Sequence, residues 1–387
     1  MKRLIVVGVA AILPLWPGIP ASANTAAAPP ARVTSHYETA TGNTAARDCG
    51  YSVALPDQPG QALWLFCDTV FLDAAGEAFG FIGGTTAATG PYAPGAVPDQ
   101  LSELPTPPAT PAVPPRTDAP RPFLPTPTGL VLPDGRPCGT AGTNSYAASW
   151  LSGATRGPAR LINGYDGSDL VALTYSDVCV RGNWVWTTQA WGISFYHPAS
   201  NTFVAHHRVF ATGSTDDLAW QRQFGSPIFA DDGFLYVYAF HCDDSGFGTC
   251  GTGRTVLART LWRGVAAWSR PLAYRYWTTD GWTSDITAAD SVMSGARPFF
   301  LDVRAYSDGL AAIEQTSLGG HYRIWRAGSP AGPWTVGEER QIPDCASSAE
   351  SWCYAFFGHP ELSTASHLML SYYDPDQQHV LANAVSW

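Results

Sequence analysis

Apolar residues in this chain arrive in short runs of Trp, Tyr, Phe, Val and Thr, broken by Gly, Asp, Asn and Pro. Helical periodicity is weak throughout, so the pattern predicts strands joined by turns. Paired runs recur: YSVAL and ALWLF near 51–66, ARLINGY and LVALTYSD near 159–177, SPIFADDGFLYVYAF at 226–240, PFFLDVRAYSDGLAAIEQT at 298–316, and HPELSTASHLMLSYY at 359–373. After the first, which precedes a long insertion, starts lie roughly 60–70 residues apart. A four-stranded propeller blade needs about 40–50 residues plus loops. Five such units fit the length. The expectation is an all-β fold, a five-bladed β-propeller, with a pair of β-sandwiches as the structural rival.

Other segments frame this domain. Lys2 and Arg3, the apolar stretch LIVVGVAAILPLW and Ala21-Ser22-Ala23 read as a secretory signal peptide, residues 1–23. No later segment carries 18 uncharged apolar residues in a row, so no membrane insertion is expected. Residues 24–35 are rich in Ala and Pro and are expected to be disordered. Residues 36–387 form the single propeller domain, with a Pro-rich insertion at 91–133. That insertion keeps apolar residues (Tyr92, Leu101, Leu104, Phe123, Leu124, Leu130) and few charges, so it is expected to be an ordered extended loop packed on the body rather than a free linker.

Charge and cysteine content narrow the class. The formal net charge is −10, and about −12 once the leader is removed. An acidic protein is a poor partner for nucleic acid or anionic membranes. Nothing in the sequence points to an oligomer, and the chain is read as a monomer. Eight cysteines in an exported chain predict four disulfides. Cys242 with Cys250 and Cys345 with Cys353 each close a short loop, Cys49 with Cys67 fits the first hairpin, and Cys138 with Cys179 remains. No two cysteines have CxxC spacing, which argues against zinc. The loop HCDDSGFGTC, 241–250, lacks the alternating ligands of a calcium loop. No metal or organic cofactor is expected.

The first hairpin, RDCGYSVALPDQPGQALWLFCDT at 47–69, carries the sharpest chemical signal. If Cys49 faces Cys67 across the strands, Asp48 faces Asp68 in the same register. Opposed like charges are unfavourable on a sheet unless the protein uses them. Two acids forced together are also how a protein separates two carboxyl pKa values for acid and base work. Elsewhere the acids Asp166, Asp169, Asp231 and Asp232 lie in turns, where turn chemistry explains them. His206 and His207 are adjacent and would face opposite sides of a strand. A serine-hydrolase elbow and a phosphate loop are both missing from the sequence.

DCGYSVALPD followed by ALWLFCDT resembles the opening of a bacterial secreted five-bladed propeller family. That family was long catalogued as a domain of unknown function, and it includes endo-D-arabinanases. The family opening usually reads Asp-Gly-x-x-Ser, a turn, then Leu-Trp-Leu-Phe-Gly-Asp-Thr. SPAGPWT at 329–335, YAFFGHPELS at 354–363 and LMLSYY at 368–373 are similar to its later stretches, so the likeness spans roughly residues 40–387. More remotely the family resembles five-bladed furanosidases acting on L-arabinan and fructans. Here Cys49 and Cys67 stand where the family commonly has glycine. The resemblance implies a secreted glycoside hydrolase cutting furanosyl, arabinan-type linkages of a cell-wall polysaccharide, with Asp48 and Asp68 as its carboxyl pair. It also implies Glu361 as acid or pKa modulator and His359 as a substrate- or carboxylate-binding group. Tyr51, Trp150, Trp191 and Trp282 are candidate sugar platforms, with Tyr51 the one closest to the acids in sequence. The alternative is a non-catalytic glycan- or protein-binding propeller of the envelope.

Overall fold

A computed structural model describes residues 29–104, 120–182, 185–213, 224–242, 250–262, 265–342, 345 and 352–387. The expected signal peptide and the Asp243–Asp244 pair lie outside these residues. The chain forms five antiparallel sheets around one axis. The five innermost strands are Thr44–Ala54, Ser145–Arg156, Phe224–Phe229, Phe300–Tyr306 and Tyr354–Gly358, and each touches the next in a closed ring. This is a five-bladed propeller with very little helix.

Blade 1 adds Gln61–Leu72, Thr86–Pro91 and Ser102–Glu103 outward from its inner strand, and blade 2 adds Val171–Arg181, Val185–His197 and Thr202–Ala211. Blade 5 runs through His367–Asp374 and His379–Ser386 and is completed by Ala31–Arg32 from the start of the chain. That last pairing corrects the expectation of disorder for residues 24–35. Residues 31–33 form a strand edge, Val33 N–H donating to Val380 O at 2.9 Å, while 24–28 lie outside the described residues. Closing the ring with the opposite end of the chain pairs the backbone groups of what would otherwise be an open sheet edge.

Two strand positions also differ from the sequence reading. The inner strand of blade 2 is Ser145–Arg156, not the run near 159, which is a loop carrying a two-residue hairpin. In blade 5 the inner strand is Tyr354–Gly358, and HPELS is the turn after it. The reason lies at the axis. Inner strands converge there and replace bulky β-branched residues with Ala, Ser and Gly. A Cβ on Gly153 would sit 2.2 Å from Ser226 Cα, and one on Gly358 would sit 2.1 Å from the Tyr306 hydroxyl oxygen. Strand propensity therefore fades where the fold is tightest.

The core lies between the blades. Trp191, Phe195, Phe224 and Tyr274 fill the space between blades 2 and 3, and Trp64, Phe66 and Met369 that between blades 1 and 5. The Pro-rich insertion packs on the body where it is described. Leu101, Phe123, Leu124, Leu130 and Leu132 are all buried, and Phe123 N–H donates to Thr85 O at 2.6 Å. Residues 105–119 of it are outside the described set. All eight cysteines are paired as disulfides, in the four combinations read from the sequence. Among the described residues, no helix is long and apolar enough to cross a membrane.

Candidate active site

The first hairpin is built as expected on both sides of a local irregularity. Arg47 pairs with Thr69 and Tyr51 with Leu65, but the register slips by one between them, so Cys49 lies opposite Phe66 rather than Cys67, a departure from the uniform register expected for 48 with 68 and 49 with 67. Between them the ladder is broken, with Cys49 at φ +67° and Gly50 at φ +102°. Both values belong to the left-handed region that glycine adopts without cost. This explains why the family likeness has glycine at position 49: the backbone needs that conformation, and here the Cys49–Cys67 disulfide, Cα atoms 5.4 Å apart, clamps it.

The irregular segment presents two acids to a shared environment. Asp48 Oδ2 accepts from the Tyr354 hydroxyl at 2.8 Å, across the boundary with blade 5. Asp68 accepts three bonds on the blade 2 side: from Gly84 N–H at 2.8 Å, the Tyr146 hydroxyl at 2.5 Å and Trp150 Nε1 at 2.7 Å. Burial, and then the charge of Asp68, push Asp48 up to about 7. Burial also raises Asp68, but the bonds from Tyr146, Gly84 and Trp150 pull it back. Arg47, one residue away, does not neutralise the pair. Strand alternation turns its side chain to the other face, where it bonds Glu103 at 2.6 Å. The result is two coupled carboxyls with no ion-pair partner among the described residues, one poised to hold a proton at neutral pH and one held as an acceptor by three donors.

Aromatic side chains ring this end of the axis. Phe81 meets Tyr146 edge-on at 4.9 Å and Trp186 meets Trp150 at 5.6 Å. Tyr354 packs against Trp352 at 5.3 Å and Tyr373 at 5.1 Å. Phe81 and Trp186 are exposed, and Tyr146, Trp150, Trp352, Tyr354 and Tyr373 are half-buried. Amphipathic rings with one free face suit the apolar faces of sugars.

The other expected site residues lie elsewhere. Tyr51 is buried, its ring 3.8 Å from that of Phe357 and its hydroxyl donating to Ser152 O at 3.0 Å. It is a core residue, not an open platform. Trp191 is likewise core, and Trp282 lies under Arg259 in blade 3. Glu361 and His359 come together, but around Ser52, four residues further along the inner strand of blade 1 than Asp48. At about 3.3 Å per residue that is over 10 Å along the axis. Ser52 Oγ donates to Glu361 Oε1 and lies 2.5 Å from His359 Nδ1. Serine thus sits between histidine and acid, the wrong order for a nucleophilic triad, in which histidine must be the middle member. Burial and the Arg304 charge hold His359 neutral, at about 3.

Between the two ends the axis is filled by an ion pair. Arg304 Nε contacts both Asp302 oxygens at 2.9 and 3.1 Å, and its Nη1 donates to Ser52 O and Ala154 O. Asp302 also accepts from Ser226 and from Gly358 N–H. These two residues bond all five blades. The turn acids behave as expected: Asp166 caps Ser168 N–H, and Asp232 accepts from Phe234 N–H. His206 stacks on Tyr175 while His207 meets Trp268. The only described cluster of three metal-ligating side chains is Asp48, Cys49 and Cys67, and its sulfurs are used in the disulfide.

The residues that sequence reasoning missed are Tyr146 and Tyr354. Tyr354 begins its inner strand, as Phe224 and Phe300 do in blades 3 and 4, and Tyr146 is the second residue of its own. That repeated aromatic is a signal only once the inner strands are aligned.

Fold and site together define a five-bladed propeller with a pair of buried, coupled acids at one end of its axis. Residues 171–383 match the family described as a domain of unknown function, DUF5005, and the chain belongs to that family. The match spans blades 2 to 5 and begins after the acid hairpin. No curated protein matches the sequence. Among solved structures, the chain is similar to a Bacteroides ovatus ATCC 8483 protein described as a candidate hydrolase, at 15% identity and TM-score 0.54, over 88% of this chain and 85% of that one. It is similar also to Zg3597, a family 117 glycoside hydrolase of Zobellia galactanivorans, at 10% identity and TM-score 0.43, over 92% and 89%. A third is the GH43_1 enzyme of Xanthomonas citri complexed with xylotriose, at 13% identity and TM-score 0.42, over 92% and 89%. At these identities the likeness concerns the fold.

Proposed function

We propose that this protein is an exported glycoside hydrolase that cleaves furanosyl, arabinan-type linkages in a cell-wall polysaccharide, with Asp48 as general acid and Asp68 as its ionised partner. One observation carries the reading: two coupled carboxyls with no ion-pair partner among the described residues, Asp48 raised to about 7 by burial and the charge of Asp68, and Asp68 raised by burial but opposed by three donors. Asp48 protonates the leaving glycosidic oxygen. Asp68, fixed by Tyr146, Trp150 and Gly84, activates water or attacks the anomeric carbon. The aromatic ring of Phe81, Trp150, Trp186 and Trp352 holds the glycan chain. The reaction needs no cofactor. The family likeness of the opening hairpin supports the furanose assignment, and four disulfides support an extracellular working place.

Glu361 has no catalytic part in this reading, because it lies beyond the Asp302–Arg304 plug. The binding-only alternative draws on the complete bonding of Asp68, which also suits a purely structural acid. One experiment separates the two. The disulfide-bonded protein is incubated with purified D-arabinan, L-arabinan or fructan and assayed for new reducing ends, beside Asp48→Asn and Asp68→Asn. Release that both variants lose supports the hydrolase. Absence of release from every glycan, with tight binding to one of them, replaces it by the binding reading.

A further inference from the structure

Two cavities open at the end of the axis opposite the acid pair. One, of about 220 Å³, is walled by Ser52, Arg304 and Glu361. The other, of about 360 Å³, is walled by Arg156, Arg160, Asp231 and Trp262. They share Thr155, Arg156, Ile228 and Ala305, so they form one continuous cleft across blades 1 to 5.

Its polar lining is mostly donors. Arg156 and Arg160 are exposed, and the Arg160 guanidinium lies 4.6 Å over the Trp262 ring. Arg156 Nη2 reaches Ser168 O at 3.4 Å. Two donors on residues at least nine-tenths buried have no acceptor among the described residues: Arg304 Nη2 and Trp262 Nε1. On the acceptor side, Glu361 already takes the Ser52 hydroxyl, and Asp231 is exposed at the rim. Orphaned buried donors are costly, and a ligand that supplies acceptors removes the cost. Arg304 is neutralised by Asp302 and Glu361 lies beside it, so the free positive charge of the cleft is at Arg156 and Arg160, on the rim that carries Asp231.

We propose that this cleft is a second ligand site, for a saccharide bearing an oxyanion, either a uronate carboxylate or a sugar phosphate. Arg156 and Arg160 engage the anion, the planar guanidinium fork matching two oxygens at once, and Trp262 and Arg304 receive the ring oxygens or hydroxyls. The site is separate from the acid pair. In the hydrolase reading it would hold the protein on an acidic polymer while the other end works, but its occupancy does not depend on that reading.

The test is calorimetric titration of the intact protein with D-glucuronate, inorganic phosphate and neutral D-arabinose, beside the Arg156→Ala/Arg160→Ala double variant and Trp262→Phe. Both arginine side chains are exposed, so the double variant should keep its fold, which circular dichroism checks. The expected result is saturable binding of one anion, weakened about tenfold or more in the double variant and reduced in Trp262→Phe. Glucuronate alone identifies a carboxylate site, phosphate alone a phosphate site. Failure of both anions to bind, equal binding of arabinose, or unchanged binding in the double variant would overturn the proposal. Arabinan cleavage by the double variant, measured in parallel, reports separately on the acid pair.

Discussion

Two pairs of buried charged groups lie a few residues apart along the same axis, and the protein treats them in opposite ways. Asp302 is matched with Arg304, and together the two bond every blade. Asp48 is coupled to another acid, Asp68, and its neighbour in sequence, Arg47, faces away to Glu103. A carboxylate that meets a cation and satisfied donors acts as a structural tie. A carboxyl that meets a like charge keeps its proton into the neutral range, which a stable scaffold has no reason to arrange. The same contrast divides Asp48 from Glu361. Both are raised by burial, but Glu361 is drawn back by Ser52 and by Arg304.

The comparison breaks first at catalysis. Asp68→Asn should lower the initial rate of reducing-end release at least about a thousandfold, as loss of a reacting group does. Glu361→Gln should lower it less than about tenfold. An equal loss in Glu361→Gln would mean that the two ends act as one site.

The next test is of the tie. Arg304→Met leaves Asp302 buried without its cation, and the denaturation midpoint should fall by the equivalent of about 3–5 kcal/mol. A loss below about 1 kcal/mol would show that the pair is no more than a surface-grade ion pair.

A third test uses pH. Asp48 binds its proton more tightly folded, at about 7, than unfolded, at 3.8. The folded state therefore holds more protons across this window, and stability falls as pH rises through it. Asp48→Asn removes that penalty. After allowance for partial solvent screening, the gain at pH 8 should be about 2 kcal/mol, and it should vanish below pH 4. His359 and His206, held near 3 and 4 by burial, work in the other direction: their contribution is present above 6.5 and is lost as pH falls through 4 and then 3. Chemical denaturation across pH 3–9 resolves both limbs. A variant no more stable than wild type at pH 8 would deny the raised value for Asp48.

The smallest effect sharpens the division of labour between the acids. Tyr146→Phe removes one of three donors to Asp68, so the acidic limb of the activity profile should move up by about one pH unit. The alkaline limb, set by Asp48, should stay near 7. Movement of the alkaline limb alone would exchange the two roles.

Much of the frame was legible in the chain. Alternation and turn residues gave the blade hairpins at 51–66, 226–240 and 298–316. Loop lengths and the hairpin pattern gave three of the disulfides and left Cys138 with Cys179 as the remaining pair, and the like-charge register of Asp48 with Asp68 pointed to the acid pair. The inner strands of blades 2 and 5 were misplaced because crowding at the axis selects small residues and erases the strand signal. Tyr51, Glu361 and His359 were grouped with the acids because they are close in sequence or share a motif. Along a strand, however, four residues carry a side chain over 10 Å, here past the plug at Arg304.

The sequence by itself determined local matters: which runs become strands, where turns fall, which cysteines lie near enough to pair, and that two acids must share one hairpin. These follow from backbone sterics and period-two alternation, which act between near neighbours. Only the tertiary structure decided that Tyr354, some 300 residues away, donates to Asp48, that Arg304 seals the axis, and that Glu361 faces a different cleft. Those outcomes depend on closing a ring of five blades. Closure sets which side chains are driven out of water together, and no local pattern encodes it.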